Sequence, residues 1–77
     1  MKNIITVFNA ETEELLETIS IPLSRKGQLF HLMGWQNEED EIYGYDLSAY
    51  QLTVIGKWLE RDLNSPIWLV QLVSAAE

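Results

Sequence analysis

The alternation of apolar and polar positions changes period several times along this chain, and each change marks an element. Ile4 to Asn9 is rich in β-branched residues and predicts a strand. Asn9-Ala10-Glu11-Thr12 is turn-like, and Glu14 to Ile21 predicts the returning strand, with Leu15, Ile19 and Ile21 as its apolar positions. Pro22 has no amide donor and stops that pairing. The period then becomes helical. Ser24 is a candidate N-cap for a helix through Met33, with Leu29, Phe30, Leu32 and Met33 as its apolar stripe and Gly34 as its left-handed terminator. Gln36 to Glu41 is a loop by composition, and Ile42 to Tyr45 predicts a short strand.

Asp46 or Ser48 caps a second helix, expected from about Ala49 to Leu63, with Leu52, Ile55, Trp58, Leu59 and Leu63 on one face. Asn64-Ser65-Pro66 is expected to end it. Ile67 to Val73 is apolar on nearly both sides, as suits a central strand. The order β-β-α-β-α-β implies an α+β fold: a four-stranded, largely antiparallel sheet with both helices on one face. The other sheet face is left for water or for a partner.

Length and composition restrict what such a fold does. The 77 residues, taken as 1–77, make one domain. The 47% hydrophobic content, with three Trp, supplies a core and excludes a disordered acidic tail. The absence of cysteine removes disulfides and thiolate metal sites and fits a reducing compartment. The opening residues meet Asn9 and an acidic patch too early for a signal peptide, and no apolar stretch approaches the ~20 residues of a membrane span. The expectation is a cytoplasmic protein with no membrane partner.

Charge narrows the picture further. Twelve acids against five bases give a net charge of −7. The acids concentrate at Glu11, Glu13, Glu14 and Glu17, and in the unbroken run Glu38-Glu39-Asp40-Glu41 between Trp35 and the pair Tyr43 and Tyr45. Phosphate backbones are repelled by such a surface, which excludes nucleic acid as a partner. A cationic protein is attracted, and aromatic anchors hold it once it arrives. Tyr43 and Tyr45, two residues apart in the expected strand, are placed on one face of it, flanked by Glu41 and Asp46. The expected partner surface is therefore Trp35, Glu38, Glu39, Asp40, Glu41, Tyr43, Tyr45 and Asp46. The hairpin acids Glu11, Glu13 and Glu14 are the rival centre, with Phe8 as their only large aromatic neighbour.

Catalytic chemistry has little to stand on. His31 is the lone histidine and has no evident orienting partner. The serines sit in no activating motif, and Gly27, Gly34, Gly44 and Gly56 are isolated, so no phosphate loop exists. The acidic run lacks the alternating ligands and the glycine of a calcium loop. No enzyme activity, cofactor or metal is expected.

Phe8-Asn9-Ala10-Glu11-Thr12-Glu13, Leu32-Met33-Gly34-Trp35, and Tyr45-Asp46-Leu47 followed by the Trp58-Leu59 helix resemble elements of small acidic bacterial immunity proteins. The likeness is to the cloacin-type proteins and to those of contact-dependent growth inhibition. It differs in the last strand, which is acidic and aromatic in cloacin-type members and apolar here. The resemblance implies a cytoplasmic antitoxin that binds and neutralises a cognate basic toxin domain, often a nuclease. The alternative is another acidic interaction protein, such as a nucleic-acid-mimicking phage inhibitor or a small regulatory subunit.

Overall fold

The β-branched opening run forms β1 (Lys2–Asn9), and the chain returns as β2 (Leu15–Ser20). Residues 1–76 are described by the computed structural model. After Pro22 a 3-10 turn at Leu23–Arg25 leads into α1 (Lys26–Met33), so Ser24 sits inside that turn and caps nothing. Gly34 closes α1 in the left-handed conformation (φ 69°), as its place after the apolar stripe predicts. A second 3-10 helix, Glu38–Ile42, occupies the expected loop and takes Ile42 out of the expected strand. What remains is the two-residue β3 (Tyr45–Asp46).

Helix α2 (Ala49–Leu59) begins at a reciprocal cap. The Ser48 hydroxyl accepts from the Gln51 amide at 3.2 Å, and the Gln51 side chain accepts from the Ser48 amide at 2.9 Å. The helix ends four residues earlier than its apolar spacing suggests. Glu60 turns left-handed (φ 56°), the Arg61 amide donates to the Gly56 carbonyl at 2.8 Å, and the Glu60 amide donates to that of Lys57 at 3.3 Å. The reversed chain lies so close to Gly56 that a Cβ there would collide with the Arg61 carbonyl. Leu63 then enters the core from an irregular segment, and β4 (Trp68–Ala75) follows.

The sheet order is β2-β1-β4-β3, antiparallel throughout. The strand expected to be central, β4, lies between β1 and β3. Ile5 and Val7 of β1, Val70 and Leu72 of β4, Leu29 of α1, Ile55 of α2, and Ile21 and Leu63 form the core, so both helices cover one sheet face. Trp58 and Trp68 pack on its margin, and the Arg25 guanidinium lies 5.7 Å from the centre of the Trp58 ring.

The uncovered face has a simple cross-strand order. Thr18, Thr6, Gln71 and Asp46 pair successively to make a polar row across all four strands. Within it Gln71 Nε2 donates to the Asp46 carboxylate at 2.9 Å. Ile4 and Val73 pair to one side of this row, and Leu15, Phe8 and Leu69 form an apolar row on the other. Leu15 reaches this face because the register shifts between Val7 and Phe8, pairing Val7 with Glu17 and Phe8 with Leu15. Simple alternation would have put Leu15 inside with Ile19. It is instead 55% exposed.

Candidate partner-binding surface

The acidic run divides according to where its backbone turns. Asp40 reaches back to the start of its own 3-10 helix, its Oδ2 accepting from the amides of Gln36 at 3.0 Å and Asn37 at 3.3 Å. Its carbonyl accepts the Tyr45 hydroxyl at 2.5 Å. Glu41 turns inward and is only 5% exposed. Its carboxylate meets the Lys26 ammonium at 2.7 Å and accepts from Asn3 Nδ2 at 2.8 Å, while its carbonyl accepts from the Ser74 hydroxyl. Burial raises the Glu41 pKa. The hydrogen bonds from Lys26 and Asn3 and the nearby positive charges of Lys26 and the chain's amino terminus outweigh it, holding the group below the usual carboxylate value of 4.5. Asp40 and Glu41 thus build the segment, and Glu38 and Glu39 are left facing solvent.

The aromatic part of the expected surface is also redistributed. Trp35 lies edge-on to Phe30, with centroids 4.9 Å apart and planes at 88°, and it tilts against Tyr45 at 5.5 Å. Both Trp35 and Tyr45 pack against the core. The Trp35 indole nitrogen is buried without a hydrogen-bond partner among the described residues. Tyr43 lies outside β3, in extended backbone at the end of the 3-10 helix, and is 59% exposed. The two tyrosines therefore do not share a strand face: Tyr45 is a support and Tyr43 a free surface ring. Asp46 is exposed and belongs to the polar row of the open sheet. Of the eight residues expected to meet a partner, Glu38, Glu39, Tyr43 and Asp46 are outward, joined by Ile42, whose exposure the strand assignment hid.

The rival acidic centre is a built turn. Asn9 Oδ1 accepts from the amides of Glu11 at 2.8 Å and Thr12 at 3.0 Å, Thr12 Oγ1 accepts from the Glu14 amide at 3.3 Å, and Glu13 adopts the left-handed conformation (φ 63°). Glu11, Glu13 and Glu14 are all exposed. Glu17 differs from them, because Arg61 holds it with two hydrogen bonds at 2.5 and 2.8 Å. Those bonds, helped by the charge of Arg61, keep its carboxyl below the usual value against the opposing effect of burial. His31, exposed on α1, lines a shallow interhelical groove with Gln28, Tyr50 and Trp58.

The chain belongs to the DUF7683 family, a domain of unknown function, whose match covers residues 2–66. The match stops just short of β4. No curated protein and no solved structure matches the chain. Among the described residues, no helix is long and apolar enough to cross a membrane.

Proposed function

We propose that this protein is a non-enzymatic inhibitor that captures a basic protein partner, and specifically an immunity protein acting in the cytoplasm against a cognate toxin domain such as a nuclease. The observation that carries the reading is one short segment in which exposed carboxylates, Glu38 and Glu39, adjoin exposed apolar area, Ile42 and Tyr43. On a chain of net charge −7, the carboxylates speed encounter with a cation-rich surface. The Tyr43 ring then supplies contact area at low conformational cost. The segment is already held by Asp40, Glu41 and Tyr45 through bonds that a partner need not supply, so little ordering opposes binding.

The test is co-expression with the product of the directly upstream gene, followed by purification and association kinetics. A stable complex is expected, with an on-rate that falls steeply between low and physiological salt while the off-rate changes little. Tyr43→Ala is expected to weaken it by about 2 kcal/mol, mainly through faster dissociation. Failure to form a complex, or an on-rate indifferent to salt, overturns the reading.

A further inference from the structure

The end of the open sheet nearest the β1–β2 turn brings exposed apolar and acidic residues together on neighbouring strands. The row Leu15–Phe8–Leu69 lies side by side by strand register, and Leu69 is 43% exposed. Leu16 and Ile67 are exposed as well, and Ile67 is joined to the turn by the Ala10 amide, which donates to its carbonyl at 2.9 Å. Asn9, Ala10, Glu11, Pro66 and Ile67 line a shallow groove of about 500 Å³ at this end. Of the turn's acids Glu11 lines this groove, and Glu13 and Glu14 are exposed in the same turn, with the backbone that carries them held by Asn9 and Thr12.

Among the described residues no ion pair joins Glu11, Glu13 or Glu14. β2, β4 and the turn contain no Lys or Arg, and β1 carries only Lys2, at the opposite end of the sheet, where it pairs with Ala75. Arg61, which reaches β2, is held there by Glu17 through two hydrogen bonds. Exposed aliphatic area bordered by unpaired charge of a single sign is complementary to an apolar cluster bordered by the opposite sign.

We propose that this corner is a second docking surface, separate from the 38–43 segment, and that its occupant is a protein segment with an aliphatic or aromatic part followed by clustered Lys or Arg. The apolar part lies on Leu15, Phe8 and Leu69, and the cationic part reaches Glu11, Glu13 and Glu14. A second copy of this chain fits less well, because it would bring another set of unpaired carboxylates to the same rim.

The probe is a synthetic peptide, Leu-Phe-Leu-Gly-Lys-Arg-Lys-Arg, titrated into the full ¹⁵N-labelled chain, with a control in which Glu replaces every Lys and Arg. The expected result is amide shifts centred on Phe8, the Asn9–Glu14 turn, Leu15 and Leu69, with no response to the control. Leu15→Ser with Leu69→Ser should weaken peptide binding at least tenfold. Glu11→Gln with Glu13→Gln and Glu14→Gln should remove most of its salt dependence while leaving circular dichroism unchanged. If the leucine variant misfolds, the exposed glutamates and the wild-type shift map still decide. The proposal is overturned by shifts centred on Ile42 and Tyr43, by equal binding of the control, or by unchanged affinity in the variants. It is equally overturned by no binding at millimolar peptide, or by self-association in sedimentation that the leucine variant abolishes. None of these outcomes bears on whether the upstream gene product binds, so the two readings fail separately.

Discussion

The two acidic clusters of this chain have nearly the same composition and opposite fates. In Glu38–Glu41 the carboxylates of Asp40 and Glu41 do structural work, one closing a turn and the other pairing with Lys26 beneath it. In Glu11–Glu14 the neutral side chains of Asn9 and Thr12 hold the backbone, and every carboxylate is left outside. Local charge density thus does not determine how much charge a surface presents. What decides is whether an acid falls at a position where the backbone needs an acceptor, as at the third residue of a helical turn, or where a cation lies close by.

The sharpest way to break this comparison is Glu41→Ala, which strips Lys26 of its counter-ion and leaves Asn3 Nδ2 with only the long bond to the Ser74 hydroxyl at 3.4 Å. It is expected to cost about 2–3 kcal/mol in urea denaturation. The triple change to Gln at Glu11, Glu13 and Glu14 should stay within about 0.5 kcal/mol. Equal costs in the two variants would refute the division between them.

Acid should reveal the same asymmetry. The folded-state pKa of Glu41 lies below its unfolded value, so between the two the unfolded chain binds the extra proton. Its contribution is fully present above about pH 4.5 and is lost as pH falls through the folded value. Comparing urea midpoints at pH 7 and pH 3, Glu41→Gln should lose less stability than the wild type on acidification. An undiminished acid loss in that variant would place the sensitivity elsewhere.

Smaller effects are expected from the groups that hold each turn. Asp40→Ala and Asn9→Ala should each cost about 1 kcal/mol, since both remove an acceptor from backbone amides. Hydrogen exchange should localise the loosening to 36–42 in the first variant and 9–14 in the second. Least affected should be Glu38→Gln with Glu39→Gln, within about 0.5 kcal/mol in stability, with any consequence confined to the rate of partner association.

The elements whose cues are local were readable from the residues. Gly34 behind an apolar stripe, a cap at Asp46 or Ser48 ahead of Ala49, and the apolar run at Ile67–Val73 each point to the element found there, and the structure picks Ser48 as the cap. The strand at Ile42–Tyr45 was misplaced, because Asp40 closes a 3-10 turn that consumes Ile42. The Asn37-to-Asp40 spacing carries that information, and a reading of the run as charge alone passes over it. Two other differences are tertiary in origin. Leu15 left the core face through a register shift that period-2 alternation does not contain. Helix α2 stopped at Leu59 because the chain turns back over Gly56, although Leu63 continues the helical spacing. For the surface, Glu38, Glu39, Tyr43 and Asp46 face outward, whereas Trp35 and Tyr45 are supports: an aromatic flanked by acids looks the same in sequence whether it faces out or in.

The pairing of β1 with β4 has a mechanical consequence. Lys2 lies opposite Ala75, and the register runs from there to Asn9 opposite Trp68, so both ends of the described chain leave the sheet at the same edge of its central strand pair. A pull applied through the two ends would open that pair one rung at a time, as a zipper opens, rather than loading all its hydrogen bonds together in shear. Resistance to heat or urea draws on the whole core, but resistance to traction falls on a single rung. A motor that grips either end while the other is held would therefore dismantle the domain with far less force than its cooperativity in solution suggests.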